Sequence, residues 1–405
     1  MAKGTSKTPA APEIHDIVIA GGGLTGNSLA IGLAGAGFNV ALIEAVARDD
    51  AHQPAHDGRT LVLNRASINI LKHLGVHDET LDQRPIRRIE VTRAGGFGHV
   101  SLQAREHGLD RFGSVIVGRD LGRRTLECMD AAGVVQYCPE KVETFQVVDD
   151  RVEIRLASGR RLEARLLVAA DGTGSMVRQA AGIASMLHDY RQSAMIFNVG
   201  ATPASSDIAH ERFTRDGPLA FLPQPEGRYG CVLVGSTGLI DEAREWGDER
   251  LLAELARRSA ASLSGFHDPG VRASYPLKLL RTKIPIAERV VAVGNAANTV
   301  NPVSAQGLNM GLRDVAALVE VLEAANDPGA PAWLAAYLKL RRRDHAETVR
   351  YTDTLARAFT NPSLPFRLGT SLGLAAHALL PGLKRRLVRS AMGFRETSLR
   401  LAREV

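Results

Sequence analysis

The 405-residue sequence predicts a mixed α/β and α+β fold, in which a parallel sheet built from separate chain segments carries an inserted β-rich domain and a C-terminal helical segment. Three observations predict it. Residues 14–43 read as strand, glycine-rich turn, helix and strand, and residues 190–284 read mainly as strands broken by Pro and Gly. After Leu308 the chain is mostly helical in pattern. The length is sufficient for two or three domains.

The first unit is a strand–helix–strand arrangement around a Gly-x-Gly-x-x-Gly turn at Gly21, Gly23 and Gly26. The first glycine permits the tight turn, the second lets a pyrophosphate approach the backbone, and the third allows close helix–strand packing. Glu44 ends the second strand, where it can accept hydrogen bonds from a ribose. The unit predicts a Rossmann-like dinucleotide site and leaves NAD and FAD both open. Its predicted elements are Ile14–Ala20, Asn27–Ala36 and Asn39–Ile43.

Two later motifs also end apolar strands. Leu166–Ala170 delivers Asp171 and Gly172 to the carboxyl end of a strand, where open α/β sheets bind ligands. A second apolar strand runs into Gly294 and a glycine-rich loop, and a helix begins near Gln306. The positive end of that helix would stabilise an anionic ring system such as a reduced flavin. Its predicted buried face is Leu308, Leu312, Val315, Val319 and Leu322.

Composition excludes several other classes. Three cysteines without Cys-x-x-Cys spacing make a disulfide framework or a zinc site improbable, and no metal cluster is predicted. With 5 % aromatic residues, nucleic-acid binding is not expected. No apolar run reaches 18 residues, and residues 1–13 read as a disordered tail without the apolar core of a signal peptide. We therefore expect a cytoplasmic protein.

The three motifs, in this order, resemble those of the FAD-dependent aromatic hydroxylases, the para-hydroxybenzoate hydroxylase-like flavoprotein monooxygenases. Within these, the chain is most similar to the ubiquinone-biosynthesis hydroxylases and to their bacterial 2-polyprenyl-6-methoxyphenol hydroxylase branch. The likeness covers nearly the whole chain from Ile17. Further matching positions are Gly58–Leu61, Arg119 with Leu126, Tyr337 with Arg341, and Thr352–Leu355.

The resemblance implies tightly bound, non-covalent FAD, with NADPH or NADH as co-substrate. By this resemblance the pyrophosphate turn is Gly21, Gly23 and Gly26, the acid on the adenosine ribose is Glu44, and the arginines that contact FAD are Arg59 and Arg119. The second nucleotide fingerprint is Asp171 and Gly172, and the pair that binds the ribityl chain is Gly294 and Asn295. The loop against the flavin ring contains Pro302, Gln306, Gly307, Leu308 and Asn309. Asn295 replaces the usual Asp and Asn298 a frequent His; Asn295 can still accept a ribityl hydroxyl bond.

The implied reaction is hydroxylation of the phenol ring of a polyprenylated ubiquinone precursor, using NAD(P)H and O₂ through a flavin C4a-hydroperoxide. No catalytic residue is predicted; Tyr229 and His210 lie in the block expected to cover the substrate, where a structural role is favoured for each. Another ring position, another phenolic metabolite, a polyprenyl reductase and a non-turnover flavoprotein scaffold of a biosynthetic complex remain open. An NAD-dependent dehydrogenase would leave the two later motifs unused.

The predicted division of the chain follows from the motifs and the resemblance. It has a tail at 1–13, a FAD-binding domain at 14–84, 105–189 and 285–330, a β-rich substrate domain at 85–104 and 190–284, and a C-terminal helical, basic segment at 331–405. Residues 341–405 carry 13 Lys and Arg against 5 Asp and Glu. Basic amphipathic helices bind anionic membranes or partner proteins. We therefore expect peripheral contact with the inner membrane, other ubiquinone-biosynthesis proteins or a lipid-binding carrier.

Overall fold

The computed structural model describes most of the chain, and its strands and helices follow the predicted alternation. The described residues are 11–51, 53, 58–78, 80–96, 99–202, 204, 207–260, 262–360, 364–394 and 399–404. Most of the predicted disordered tail lies outside these ranges, and the first strand begins at Glu13.

Twenty strands and eleven α-helices are found in the described ranges. The strands are β1 Glu13–Ala20, β2 Val40–Ile43, β3 Thr60–Asn64, β4 Gln83–Ile86, β5 Arg88–Arg93, β6 His99–Gln103, β7 Gly113–Val117, β8 Val135–Tyr137, β9 Val142–Val148, β10 Arg151–Leu156, β11 Arg161–Ala169, β12 Ser185–Thr202, β13 Ile208–Phe213, β14 Pro218–Pro223, β15 Arg228–Ser236, β16 Ser264–His267, β17 Ala273–Thr282, β18 Ile286–Ala287, β19 Val290–Ala292 and β20 Asn298–Thr299. The helices are α1 Leu24–Gly35, α2 Arg65–His73, α3 Gly118–Ala131, α4 Met176–Ala180, α5 Thr237–Arg244, α6 Asp248–Arg258, α7 Gly294–Ala297, α8 Gln306–Leu322, α9 Pro331–Thr360, α10 Leu364–Leu379 and α11 Pro381–Ala391.

The first sheet has eight strands, with its main path in the order β18-β19-β11-β1-β2-β8. Strands β19, β11, β1, β2 and β8 run parallel, and β10 and β9 extend the sheet antiparallel from β11. Apolar side chains cover both of its faces, as a parallel sheet requires. Helices α1, α2 and α8 supply most of the covering on one face. The carboxyl ends of β1, β2, β11 and β19 therefore meet at one edge.

The second sheet has nine strands, in the order β20-β17-β12-β15-β14-β13-β5-β6 with β16 attached to β12. All pairs are antiparallel except β13 with β5. Helices α5 and α6 pack on one face of this sheet, and the opposite face turns toward the first sheet and the C-terminal helices. A small antiparallel sheet, β3-β7-β4, joins the two large sheets.

The C-terminal helices close the molecule on the side of the second sheet. Leu374 of α10 and Val388 of α11 are buried against Val100 and Leu102 of β6. Near the end of the chain, Leu401 is buried in the core that covers the first sheet, and its backbone N–H donates to Glu320 of α8. The C-terminal segment is thus integrated into two cores.

The sequence predicted the fold class correctly, and most elements lie within three residues of the expected positions. Within residues 190–284 the sequence also predicts one interrupting helix, at about Asp248–Leu263. That prediction was wrong in number, because α5 precedes α6. Helix α5 has only eight residues, with Ile240 and Ala243 as its buried face, and Ser236 caps its first turn by accepting from the Leu239 N–H. Such a short apolar pattern between strands resembles another strand. None of the helices in the described ranges combines the length and the apolar composition of a membrane-spanning segment.

Candidate active site

A continuous cavity of about 1400 Å³ lies between the two large sheets and the C-terminal helices. At one end it meets the loops that follow β1, β2, β11 and β19. At the other end its wall is aliphatic and comes from β5, β12, β13, β14 and β15 and from α10 and α11. Its volume exceeds the roughly 300–1,000 Å³ of ordinary small-ligand pockets. The space is sufficient for a dinucleotide and a second molecule together.

The turn after β1 has the close contacts that its glycines predict. Gly21 has φ +111°, and a Cβ there would overlap the carbonyl of Ala170 on the neighbouring loop. A Cβ at Gly26 would overlap the carbonyl oxygen of Gly21. At Gly23, by contrast, a Cβ would meet no atom within 4 Å. The turn is therefore closed toward the protein at Gly21 and Gly26 and open toward the cavity at Gly23.

Glu44 connects this turn to the loop after β2. Its Oε2 accepts from the Gly22 N–H at 2.5 Å, and its Oε1 accepts from the Val46 N–H at 2.7 Å. The side chain also lines the cavity. Because each carboxylate oxygen has two lone pairs, Glu44 retains the capacity to accept hydrogen bonds from a ligand.

The loop after β11 carries an acceptor without a protein partner. Asp171 Oδ2 accepts from the Val177 N–H at 3.2 Å, whereas Asp171 Oδ1 is buried and has no hydrogen-bond partner in the described chain. Gly172 adopts φ +79°, which allows the chain to turn along the cavity. Arg178 donates to the carbonyls of Thr173 and Ala296, both at 3.0 Å, and so joins this loop to the one after β19.

The loop after β19 is braced from behind and strained at its tip. The Gly294 N–H donates to buried Asp314 at 3.0 Å, and Asn295 is exposed toward the cavity. Ser304 and Ala305 have φ +67° and +48°, left-handed conformations that each cost about 1–3 kcal/mol without glycine. Such strain persists only where the surrounding structure enforces it.

A comparison with known families identifies this arrangement. The family described as "FAD binding domain" matches residues 15–352, which is most of the chain. The chain belongs to the FAD binding domain family. Its relatives include the ubiquinone hydroxylase UbiL of Rhodospirillum rubrum, 34 % identical over 95 % of this chain and 91 % of the relative. Another is the 3-demethoxyubiquinol 3-hydroxylase of Escherichia coli, 33 % identical over 93 % of this chain and 98 % of the relative.

Solved structures share the fold at lower sequence identity. The p-nitrophenol 4-monooxygenase PnpA of Pseudomonas putida aligns with a TM-score of 0.77 at 17 % identity, covering 96 % of this chain and 100 % of that one. PqsL of Pseudomonas aeruginosa, a probable FAD-dependent monooxygenase, aligns with a TM-score of 0.75 at 22 % identity, covering 90 % and 100 %. These likenesses establish the fold of the family.

The FAD binding domain family and the ubiquinone hydroxylase relatives together identify this chain as an FAD-dependent aromatic-ring monooxygenase, and the residues at the cavity fit the cofactor. The open face at Gly23 provides backbone approach, and the orphaned Asp171 Oδ1 provides an acceptor. Asn295 provides an amide exposed to the cavity. The donor set suits a phosphate- and hydroxyl-rich ligand, and among the described residues no group of three potential metal ligands occurs.

Most residues predicted for the family's cofactor lie around one cavity, but four do not line it. The lining residues are Gly21, Gly23, Gly26, Glu44, Arg59, Asp171, Gly172, Asn295, Pro302, Gly307 and Leu308. Gly294, Gln306 and Asn309 support the wall from behind. Asn309, for example, accepts from the Asn64 N–H at 2.9 Å and donates to Val62 at 2.8 Å, holding β3 against the loop. Arg119 is exposed on α3 away from the wall, and its contact with FAD stays a prediction.

A buried ion network lies directly behind the Gly294 turn. Asp314 accepts from Arg341 at 2.7 Å and is 2.6 Å from His345 Nε2, while Asp344 pairs with Arg313 at 2.8 Å and with Arg341 at 2.7 Å. Burial opposes ionisation of Asp344, but the two guanidinium groups outweigh it and hold the pKa of Asp344 well below its ordinary value. For Asp314, too, burial raises the pKa, but the nearby His345 and Arg341 outweigh burial and lower it.

The second sheet carries the two residues discussed from sequence, Tyr229 on β15 and His210 on β13, and a third that was not. Tyr229 is fully buried in the core beneath α5 and α6, while His210 lies within hydrogen-bonded strands with its pKa lowered by burial. Glu211 was not singled out, yet it lines the cavity. The pattern Ala209-x-Glu211-x-Phe213 could have indicated it, since it interrupts an apolar strand face with one carboxyl.

Proposed function

We propose that this chain hydroxylates the aromatic ring of a polyprenylated ubiquinone precursor of the 2-polyprenyl-6-methoxyphenol type, consuming NAD(P)H and O₂. The observation that carries the proposal is one continuous cavity that joins the glycine-rich loops to a long aliphatic wall. The wall ends at Leu374 of α10 and Leu387 and Ala391 of α11. A small polar phenol does not need such a wall, whereas a prenyl chain gains roughly 25 cal/mol for each Å² of apolar surface buried. The relatives named as ubiquinone hydroxylases support the same substrate class.

In this proposal FAD extends along the three loops. The backbone at Gly21 and Gly23 and the N-terminus of α1 would hold the pyrophosphate, and Glu44 the adenosine ribose. Asp171 and Asn295 would accept hydrogen bonds from the linking chain. Residues 302–308 would lie against the flavin ring, with the amino end of α8 directed toward it. Bound FAD supplies hydride acceptance from NAD(P)H and the activation of O₂ for ring hydroxylation.

The chain's own contribution is binding, orientation and exclusion of water. The aliphatic rows of the second sheet would hold the substrate ring and the first prenyl units in a dry environment. The bracing by Asn309 and Asp314 would keep the loop after β19 in its strained shape. A fixed ring beside a fixed loop reduces the entropy lost in reaching the reactive geometry.

The direct test is NAD(P)H oxidation by the purified flavoprotein, in air and anaerobically, with a short-tailed 2-prenyl-6-methoxyphenol. We expect yellow protein, oxidation stimulated by the phenol, and a product heavier by one oxygen atom. Bound flavin without phenol stimulation would instead support the reductase or scaffold alternatives. A product hydroxylated at another ring position would leave the hydroxylase activity standing and change only the ring position assigned to it.

We further propose that α10 and α11 contact an anionic lipid surface. Leu372, Leu380 and Leu383 are exposed there, beside the exposed cations Arg385 and Arg389. Apolar side chains flanked by cations are typical of helices that lie in a membrane interface. The same helices line the aliphatic end of the cavity, so a prenyl tail could enter from lipid.

Point substitutions test this contact better than truncation, because residues 382–405 include buried Val388 and Met392. The double variant Leu380→Asp/Leu383→Asp should lose flotation with vesicles containing phosphatidylglycerol while oxidising the short-tailed phenol normally. Val271→Asp alters a residue that is 95 % exposed between β16 and β17 and serves as the control. Unchanged flotation of the double variant would refute the contact, and co-purification with a carrier protein would favour a protein partner instead.

A further inference from the structure

One carboxyl lies in the middle of the aliphatic cavity wall. On β13, Ala209, Glu211 and Phe213 share the face that lines the cavity. In the register of the sheet, Glu211 is paired with Val91 on β5 and with Ala220 on β14. The row continues through Val232 to Ile196, and all four of these neighbours line the cavity. Glu211 is therefore the polar member of an aliphatic row.

The Glu211 carboxyl has no hydrogen-bond or ion-pair partner in the described chain, and the space open to it is the cavity. Burial alone raises the pKa of Glu211 to about 7. Glu211 is half-buried, and it lines the cavity. A carboxyl held in an apolar wall without a partner destabilises the folded protein, and groups perturbed in this way concentrate at functional sites. A general base near neutral pH combines sufficient basicity with the correct protonation state.

The surrounding elements leave Glu211 without a competing charge on its row. The flanking strands present Val91 and Ala220, while His210 and Glu90 occupy the alternate positions of β13 and β5. His210 also lines part of the cavity, as the titratable neighbour of Glu211 on the same strand. The titratable groups that face the cavity from other elements are Lys278 and Tyr275 on β17, Tyr351 on α9, His377 on α10, and Arg59, Glu44, Glu140, Lys141 and Asp171 at the loop end. Burial is the cause of the raised Glu211 pKa, and none of these groups contributes to it.

The wall that carries Glu211 is physically connected to the loop end. Strand β14 leads to Gln224, which donates a hydrogen bond to Thr60 at the start of β3. The end of β3 is in turn held by Asn309, in the first turn of α8. The sheet face and the proposed flavin loop are thus fixed relative to one another, as a base acting on a bound ring requires.

We propose that Glu211 is a catalytic residue, which accepts first the hydrogen bond and then the proton of the phenolic hydroxyl of the substrate. The phenol O–H bond breaks, an O–H bond forms on the Glu211 carboxylate, and the electron pair stays on the phenolate oxygen. The resulting ring is more electron-rich and therefore more readily hydroxylated. This assignment rests on the proposed function for its substrate, while phenol binding at Glu211 can be measured without turnover.

The experiment compares Glu211→Gln with wild-type holoenzyme. Glu90→Gln is the matched control: it carries the same change on the adjacent strand, at an alternate position bonded to Ser101. Binding of 2-prenyl-6-methoxyphenol and of its methyl ether is followed by flavin fluorescence without NAD(P)H, from pH 5.5 to 8.5. Flavin content and thermal melting confirm that each variant is folded.

We expect wild type and Glu90→Gln to prefer the phenol over the ether about tenfold above pH 8, and to lose this preference below pH 6. In Glu211→Gln the preference should fall within about twofold and become independent of pH. The value of kcat/KM should fall by about 10²-fold or more, which is typical of a lost general base, and its rise through pH 7 should disappear. Glu211→Asp should restore part of the pH dependence.

Two outcomes separate this assignment from the proposed function. Wild-type hydroxylation with an unchanged pH profile in Glu211→Gln would overturn the role of Glu211 and leave the function standing. Phenol binding that depends on Glu211, without any hydroxylated product, would uphold the binding site and overturn the function.

Discussion

At Gly26 a missing side chain lets helix α1 begin directly against the turn at Gly21. We predict that Gly26→Ala lowers flavin content and stability, because its Cβ would overlap the Gly21 carbonyl oxygen. Overpacking of this kind costs about 1–3 kcal/mol. Absorbance at 450 nm per protein and the thermal midpoint measure both effects.

Gly35→Ala is the matched control for that change, since it lies at the exposed end of the same helix with no atom within 4 Å of its Cβ. It should keep its flavin and gain up to about 1 kcal/mol, because Ala favours helix over Gly. Equal flavin loss in both variants would contradict a specific role for the turn at Gly26.

Residues whose role follows from their own backbone conformation could be predicted from the sequence. Residues whose role depends on contacts with distant parts of the chain could not. Gly21 and Gly172 adopt the left-handed conformations expected of their turns. Ser304 and Ala305 adopt similar conformations without being glycine, so no sequence signal indicated their strain. Glu211 was missed because period-2 alternation shows that two faces exist without showing which one borders a cavity.

At the scale of elements, helix α10 leaves space at one end of the cavity because residue 373 is a glycine. Gly373 lines the cavity, and a Cβ there would meet no atom within 4 Å. We predict that Gly373→Leu leaves the protein folded and places its side chain in the space proposed for the prenyl tail. The KM for a long-tailed substrate should rise about tenfold or more, because bound apolar surface is lost, while the KM for a one-prenyl analogue changes less than twofold.

Gly369→Leu on the same helix provides the control, since Gly369 is exposed, has the same free space and does not line the cavity. Steady-state kinetics with both tail lengths measure the effect. Similar behaviour of the two variants, or equal loss for short and long tails, would show that the tail does not lie along α10.

The strand–helix–strand units were more predictable than the elements that close the site. Helix α1 and strand β2 follow from a local glycine pattern and short apolar runs. The position of α10 and α11 depends on long-range contacts with β6, more than 260 residues earlier in the chain. Amphipathic sequence indicated a surface role for α11, and both of its faces are used, since Leu387 lines the cavity while Arg385 is exposed.

At the scale of the whole molecule, the buried ion network joins segments that the sequence separates. It connects α8 and α9 to the Gly294 turn through Asp314, Arg341, Asp344 and Arg313. The resemblance included Arg341, but no local pattern shows that its partners are Asp314 and Asp344. Two carboxylates and two guanidinium groups balance one another, so removing either carboxylate leaves a cation buried without compensation.

This balance predicts how the stability of the protein depends on pH. The pKa values of Asp314 and Asp344 are lower in the folded protein than the ordinary value of about 3.9 expected after unfolding. The unfolded chain therefore binds protons first as pH falls, so the stabilisation is complete above about pH 5 and is lost progressively below it. We expect Asp344→Asn to cost about 3–5 kcal/mol at pH 7 and to show a weaker loss between pH 5 and 3.5 than wild type.

Urea unfolding of the holoenzyme across this pH range measures both quantities. Glu347→Gln supplies the matched control, because it removes a carboxylate from the same helix where the pair with Arg343 is exposed. That change should alter stability by less than about 1 kcal/mol. Because Asp314 also accepts from the Gly294 N–H, weakening the network should release flavin before global unfolding. An Asp344→Asn protein with wild-type stability, acid sensitivity and flavin retention would show that the network does not hold the loop after β19.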